Sequence, residues 1–218
     1  VQALSPRTLG IIGMGAVGSR LYQRLQHLLP NLEISVYDPW RPELAQASLD
    51  AISRCEVICL HPNLHDRLPY PSFHLINQAF LEQCSPHTVI INASRGDVVH
   101  EEALLRAYPG IYCTDVFSHE PAPNPAIIKR ALYCTPHIAG HTVEAKFIAI
   151  QQLSQQLHHH YQRPSPHFTP LPSGNSPTYS PTLETQVLKA ARDLPSTFVT
   201  WRAAHYRHNS VVFCPIQR

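Results

Sequence analysis

The chain has 218 residues, enough for one large domain, or for one domain with an appendage. Apolar residues make up 44%, so a sizeable core can be buried, and only 15% are charged, with a net charge of +2. That balance excludes a charge-driven disordered chain and gives no electrostatic footprint for nucleic acid.

Short apolar runs predict buried parallel strands at Leu9–Ile12, Ile34–Tyr37, Val57–Leu60, Val89–Ile91, Ile111–Thr114 and Ala131–Cys134. Between them, helical spacing predicts helices at Val17–Leu29, Pro42–Ile52, Gln78–Gln83 and Glu101–Tyr108, followed by a long one at Gly140–Tyr161 with a mixed apolar stripe through Phe147, Ile150 and Leu153. Strand–helix–strand alternation at this spacing predicts an α/β fold: a Rossmann-type doubly wound parallel sheet over residues 1–162. Residues 163–181 hold six prolines and read as an extended linker. Residues 182–218 read as a small α+β tail, with helices at Thr182–Asp193 and Thr197–His208 and a strand at Val211–Cys214. A tail of this size cannot bury a core of its own, so it is expected to pack on the first domain or on another subunit.

Six cysteines, none in a C-x-x-C pair and several within strand runs, predict reduced, buried thiols and a cytoplasmic protein. The run His158–His160 sits at a predicted helix end, where imidazoles meet the negative end of the helix dipole, and no metal site is expected. No apolar run is long enough to span a membrane, so no membrane partner is expected.

The segment 8–18 carries G-x-G-x-x-G at Gly13, Gly15 and Gly18, between a strand and an amphipathic helix. That is the context in which the pattern binds a dinucleotide. Gly13 allows the turn, Gly15 lets backbone approach a pyrophosphate, and Gly18 lets helix and strand pack closely. The helix start at Ala16 and Val17 offers free N–H groups to the phosphates. Asp38 ends the next strand 20 residues after Gly18. A carboxylate there bonds both hydroxyls of the adenosine ribose and repels a 2′-phosphate, which favours NAD over NADP.

Three further segments stand at strand ends. N-A-S-R-G brings Ala93 and Arg95, D-V-F-x-x-E-P brings Asp115 and Glu120, and T-P-H-I-A-G brings His137 and Gly140. Ligands of an open parallel sheet bind beyond the carboxyl ends of its strands, so these segments are expected to converge on the cofactor.

In this order behind the glycine fingerprint, these motifs resemble the cofactor domain of the D-isomer-specific 2-hydroxyacid dehydrogenases. The resemblance is closer to a member that oxidises a phosphorylated 2-hydroxy acid in vitamin B6 synthesis; it is strong over about residues 5–162 and weak in the tail. It implies Arg95 as the clamp on the substrate carboxylate, His137 as the general acid/base, and Glu120 as the carboxylate orienting that imidazole. It implies cofactor contacts at Asp115 (nicotinamide carboxamide), at Gly140, and at His61 and Pro62 after the third strand. It also implies a substrate contact at His141 and a homodimer.

Three positions depart from that member's pattern. Pro62 stands where it has threonine, His141 where it has tyrosine, and Phe147 where it has glycine after the lysine. The implied architecture is a substrate domain, then the cofactor domain, then a dimerisation tail. The chain starts with Val1 and has only Val1–Arg7 ahead of the segment 8–18, so most of a substrate domain is expected to be missing. Other D-2-hydroxyacid dehydrogenases, of phosphoglycerate, glycerate or lactate type, and a non-catalytic NAD-binding module remain the alternative readings.

Overall fold

A computed structural model describes residues 6–44, 47–140 and 143–168. The elements run β1 (Thr8–Ile12), α1 (Ala16–Leu28), β2 (Glu33–Tyr37), α2 (Leu49–Ser53), β3 (Val57–Leu60), α3 (Gln78–Gln83), β4 (Val89–Asn92), α4 (Glu101–Ala107), β5 (Ile111–Thr114), α5 (Pro125–Arg130), β6 (Tyr133–Cys134) and α6 (Val143–His160). The six strands form one sheet in the order β2-β1-β3-β4-β5-β6, and every neighbouring pair is parallel.

Two-residue alternation sorts the strand side chains onto two faces. Leu9, Ile11, Val57, Cys59 and Val89 join one buried cluster, against which Leu21, Tyr22 and Leu25 of α1 pack. Ile12, Ile58, Leu60, Ile90 and Tyr112 join the other, with Ile52 of α2, Leu81 of α3, Leu104 of α4 and Ile127 of α5. Helices thus cover both faces, as the doubly wound reading requires. That is also why the strands read as continuous apolar runs rather than as alternating ones.

Two local expectations are corrected. Pro42 does not start a helix: residues 42–44 form a turn, and α2 begins only at Leu49, where Ser48 Oγ accepts from Ala51 N–H. A serine that satisfies a first-turn amide outweighs a proline whose only contribution is a preset φ. A helix absent from the reading, α5, starts after Asn124, whose Oδ1 accepts from Ala126 N–H, with Pro125 in its first turn. The long final helix is present at Val143–His160, but Ile150 and Leu153 of its apolar row are exposed. In its last turn His158 Nδ1 meets Ser154 O at 2.8 Å, the contact expected of an imidazole at a helix C-terminus.

Cys55, Cys59, Cys84, Cys113 and Cys134 are free thiols, all buried or half-buried. Burial pushes the Cys59 and Cys113 thiols up to about 11, so both stay protonated near neutral pH. Cys214, the tail elements and most of the linker lie outside the described residues. Among the described residues no helix is long and apolar enough to cross a membrane, and no group of three His, Cys, Asp or Glu side chains is placed to hold a metal ion.

Candidate functional site

The strand order reverses between β1 and β3: the chain steps from β1 outward to β2, then back across to β3. Such a switch point opens a crevice at the carboxyl ends of the strands. Here it holds a cavity of about 720 Å³. Gly13 follows β1 with φ +90°, and a Cβ there would lie 2.7 Å from Pro62 N, so the turns after β1 and β3 touch. A Cβ at Gly18 would run into the Gly13 carbonyl, whereas one at Gly15 would meet nothing. The three glycines therefore separate into a turn, an open approach and a helix–turn contact. No side chain caps α1, which leaves its first-turn N–H groups at Ala16 and Val17 beside the cavity.

Asp38 lines the same cavity and is buried. Its Oδ2 accepts from Met14 N–H at 2.7 Å and its Oδ1 from Trp40 N–H at 3.1 Å. One carboxylate thus pins the glycine turn to the end of β2. Two of its roughly four lone-pair sites are used, which leaves acceptors for a pair of ribose hydroxyls. His61 carries two buried ring nitrogens, Nδ1 and Nε2, without a protein partner, and buried polar atoms of this kind call for a polar ligand. Burial lowers the His61 pKa, so its ring stays neutral near pH 7.

Trp40, Arg41, Arg67 and Tyr70 also line the cavity, although they carry no motif and escaped the sequence reading. The Arg67 guanidinium sits 4.5 Å from the Trp40 ring centre, and Tyr70 meets that ring edge-on at 5.8 Å. Arg41 Nη1 donates to the Met14 carbonyl at 2.9 Å. The one available signal was an aromatic residue and arginines in the loops straight after β2 and β3.

Arg95, Glu120 and His137 do not line this cavity; they stand beyond β4, β5 and β6. Glu120 Oε2 meets His137 Nδ1 at 2.7 Å, and both side chains are partly exposed, 21% and 30%. A carboxylate only accepts, so Nδ1 carries the proton in this contact, and in the neutral tautomer Nε2 holds the lone pair. Glu120 Oε1 accepts from Phe117 N–H at 3.0 Å. His137 has φ +55°, uncommon for a residue with a side chain. The surrounding loop enforces it: Asp115 Oδ1 accepts from Thr135 Oγ1 at 2.5 Å and from Ile138 N–H at 2.8 Å, and Oδ2 accepts from Ala139 N–H at 2.9 Å. Asp115, expected as a cofactor contact, is thus also the anchor of the loop that carries the imidazole.

Arg95 is exposed, with Nη1 on the Ser94 carbonyl at 2.7 Å. Its neighbour Gly96 lies so close to the Phe117 carbonyl that a Cβ would collide with it, and this ties the Arg95 strand end to the Glu120 loop. Ala93 and Gly140 are exposed at the same edge. His141 lies outside the described residues.

The glycine cradle, the carboxylate at the end of β2 and the imidazole–carboxylate pair all stand at the carboxyl ends of the strands of one parallel sheet. The family model of the D-isomer specific 2-hydroxyacid dehydrogenase NAD binding domain matches residues 1–139. The chain belongs to this family and carries its NAD-binding domain. Among its relatives, erythronate-4-phosphate dehydrogenase of Legionella pneumophila is 40% identical over 97% of this chain. The enzyme of that name from Salinibacter ruber is 36% identical over 71% of it. The chain spans 65% of the length of the first and 42% of the second. The fold matches a solved D-isomer specific 2-hydroxyacid dehydrogenase from Lactobacillus delbrueckii in its NAD complexed form, with a TM-score of 0.58 over 72% of this chain and 54% of that one, at 22% identity. It also matches a putative D-3-phosphoglycerate dehydrogenase from Ralstonia solanacearum, with a TM-score of 0.54 over 70% of this chain and 49% of that one, at 26% identity.

Because Asp38 both braces the glycine turn and faces the cavity, Asp38→Ala is expected to weaken NADH binding tenfold or more, about 1.4 kcal/mol. The same change removes the repulsion of a 2′-phosphate, so the preference for NADH over NADPH should narrow. Fluorescence titration with both nucleotides checks this; an unchanged ratio of affinities would count against the role of Asp38.

Proposed function

We propose that this chain belongs to a dehydrogenase that oxidises 4-phospho-D-erythronate to (R)-3-hydroxy-2-oxo-4-phosphooxybutanoate with NAD, in pyridoxal phosphate (vitamin B6) synthesis. The observation that carries the reading is the 2.7 Å pair of Glu120 and His137 beyond the strand ends of an NAD-binding sheet. The names of the relatives given above support the choice of substrate.

In this reading Arg95 clamps the substrate carboxylate and polarises the 2-oxygen; a planar guanidinium suits that bidentate task. His137 Nε2 takes the proton from the C2 hydroxyl. Glu120 keeps Nδ1 protonated, holds the ring plane, and stabilises the imidazolium once the proton has arrived. NAD, when bound, would supply the acceptor for the C2 hydride. The residues present fit that group. The turn at Gly13 and Gly15 and the uncapped start of α1 suit the pyrophosphate, Asp38 suits the adenosine ribose, and the orphaned His61 nitrogens call for a polar occupant. Ala93, Asp115 and Gly140 stand on the nicotinamide side, with His61 and Pro62 at the switch point. His141 is proposed as a substrate contact.

We further propose a cytoplasmic homodimer. Its free, buried thiols support the reducing compartment, and the exposed row Ile150, Leu153 and Leu157 on α6 supports a subunit contact. Residues 1–162 form the cofactor domain in this scheme, 163–181 the linker and 182–218 the dimerisation-type tail.

The test is a titration of the 218-residue chain with NADH, followed by an assay of NADH formation from NAD and 4-phospho-D-erythronate. Binding with turnover supports the enzyme. Binding without turnover on this acid or on phosphoglycerate points to an NAD-binding module, and absence of binding removes both readings.

A further inference from the structure

A buried side chain from outside the loop that carries Glu120 holds that loop. Glu101 opens α4 and is only 8% exposed. Its Oε1 accepts from Ser118 N–H at 2.9 Å, and Ser118 is itself buried. An acidic residue in the first turn of a helix ordinarily gains from the helix dipole while staying in water. Glu101 has been taken out of water instead. Burial pushes its carboxyl above the ordinary range; the Ser118 N–H and the nearby His119 act in the opposite sense. Burying such a group is unfavourable unless it is hydrogen-bonded, and here the Ser118 N–H supplies that bond.

The bond lies in a series. α4 follows directly on the Gly96 contact with Phe117, so the chain from Arg95 to Glu101 forms a platform under residues 117 and 118. Phe117 N–H then holds Glu120 Oε1, and Glu120 Oε2 meets His137 Nδ1. Each link is a hydrogen bond of 2.7–3.0 Å, so a displacement at Ser118 is passed on to the imidazole.

We infer that Glu101 is a positioning residue: through the Ser118 N–H it holds the loop that aims the Glu120 carboxylate at His137. The purpose of the pair rests on the function proposed above, whereas the aiming itself does not. What the role requires is an acceptor at the right reach rather than a negative charge. Glutamine supplies that acceptor at the same length, and aspartate is shorter by one methylene.

The experiment reads the His137 Nδ1 proton directly, by nuclear magnetic resonance on the ¹⁵N-labelled 218-residue chain without nucleotide. A ring proton held by a carboxylate gives a low-field signal slow to exchange with water, assigned by its loss in His137→Asn. Glu101→Gln is expected to keep it. Glu101→Asp is expected to lose it, as is Ser118→Pro, which deletes the N–H from the loop side. NADH affinity should stay within about threefold in all three, because the cradle at Gly13 and Asp38 is untouched. Survival of the signal in Glu101→Asp or in Ser118→Pro, its loss in Glu101→Gln, or its absence from the unsubstituted chain would overturn the inference. NADH titration and turnover on the same samples judge the proposed function separately: a chain that shows the expected signals but binds no NADH removes that function and leaves the positioning role standing.

Discussion

Replacing His137 with asparagine is expected to lower kcat by about 10²–10⁴-fold, the usual contribution of a positioned general base. NADH affinity should change little, because His137 lies outside the cavity that holds the glycine turn and Asp38. Asparagine can still donate to Glu120 Oε2, which keeps the carboxylate partnered, but it offers no ring nitrogen to receive a proton. The variant therefore separates proton transfer from packing. Glu120→Gln should fall between it and the unsubstituted chain: the amide can still meet Nδ1 but cannot stabilise an imidazolium. Single-turnover measurements of NADH formation, paired with NADH titration, check both. A His137→Asn chain that keeps full turnover would dismiss the assignment of the base.

The second large effect is expected at Asp115, and it reads out in stability first. Alanine there orphans three donors at once: Thr135 Oγ1, Ile138 N–H and Ala139 N–H. Each orphaned buried group costs about 1–3 kcal/mol. Water can reach the exposed Ala139 end, so a total near 3 kcal/mol is the expected loss, a drop of roughly 5–10 °C in melting temperature. Asp115→Asn should be milder, since the amide oxygen can keep Thr135 and Ile138 while the NH₂ group faces Ala139 N–H. The loop should open as well: hydrogen exchange at Ile138 and Ala139 is expected to speed up in Asp115→Ala, and turnover to fall with it, because the side-chain anchor of the loop that holds His137 at positive φ is then lost. Melting and exchange that match the unsubstituted chain would show that the anchor is dispensable.

Much of this site was legible in the sequence because its parts are local. The glycine pattern, Asp38, and the N-A-S-R-G, D-V-F-x-x-E-P and T-P-H-I-A-G segments each place their chemistry within a few residues of a strand end, and a buried parallel strand announces itself as an apolar run. Residues whose role depends on what lies across the fold were not legible. Trp40 and Arg67 are 27 positions apart and meet only because β1 and β3 are neighbours, bringing the loop after β2 and the loop after β3 over one crevice. Glu101 reads as an ordinary helix-start acid until the sheet sets Ser118 against it. The start of α2 was misplaced because Pro42 and Ser48 both carry start signals, and the Ser48 cap together with the backbone bond from Ala47 N–H to Val36 O settles the choice only across the fold. Asp115 shows the same limit from the other side: its identity was legible, and its three loop contacts were not.

The crevice lies over β1, β2 and β3, and the Glu120–His137 pair over β5 and β6, with β4 between them. A compound shaped to fill the crevice could displace the adenosine half of a dinucleotide without meeting His137 at all. On the function proposed above, its potency would then report on nucleotide binding rather than on the choice of acid. Selectivity among dehydrogenases of this build would have to come from the far edge of the sheet, while the near edge, with its Trp40–Arg67 contact, supplies an individual shape for binding alone.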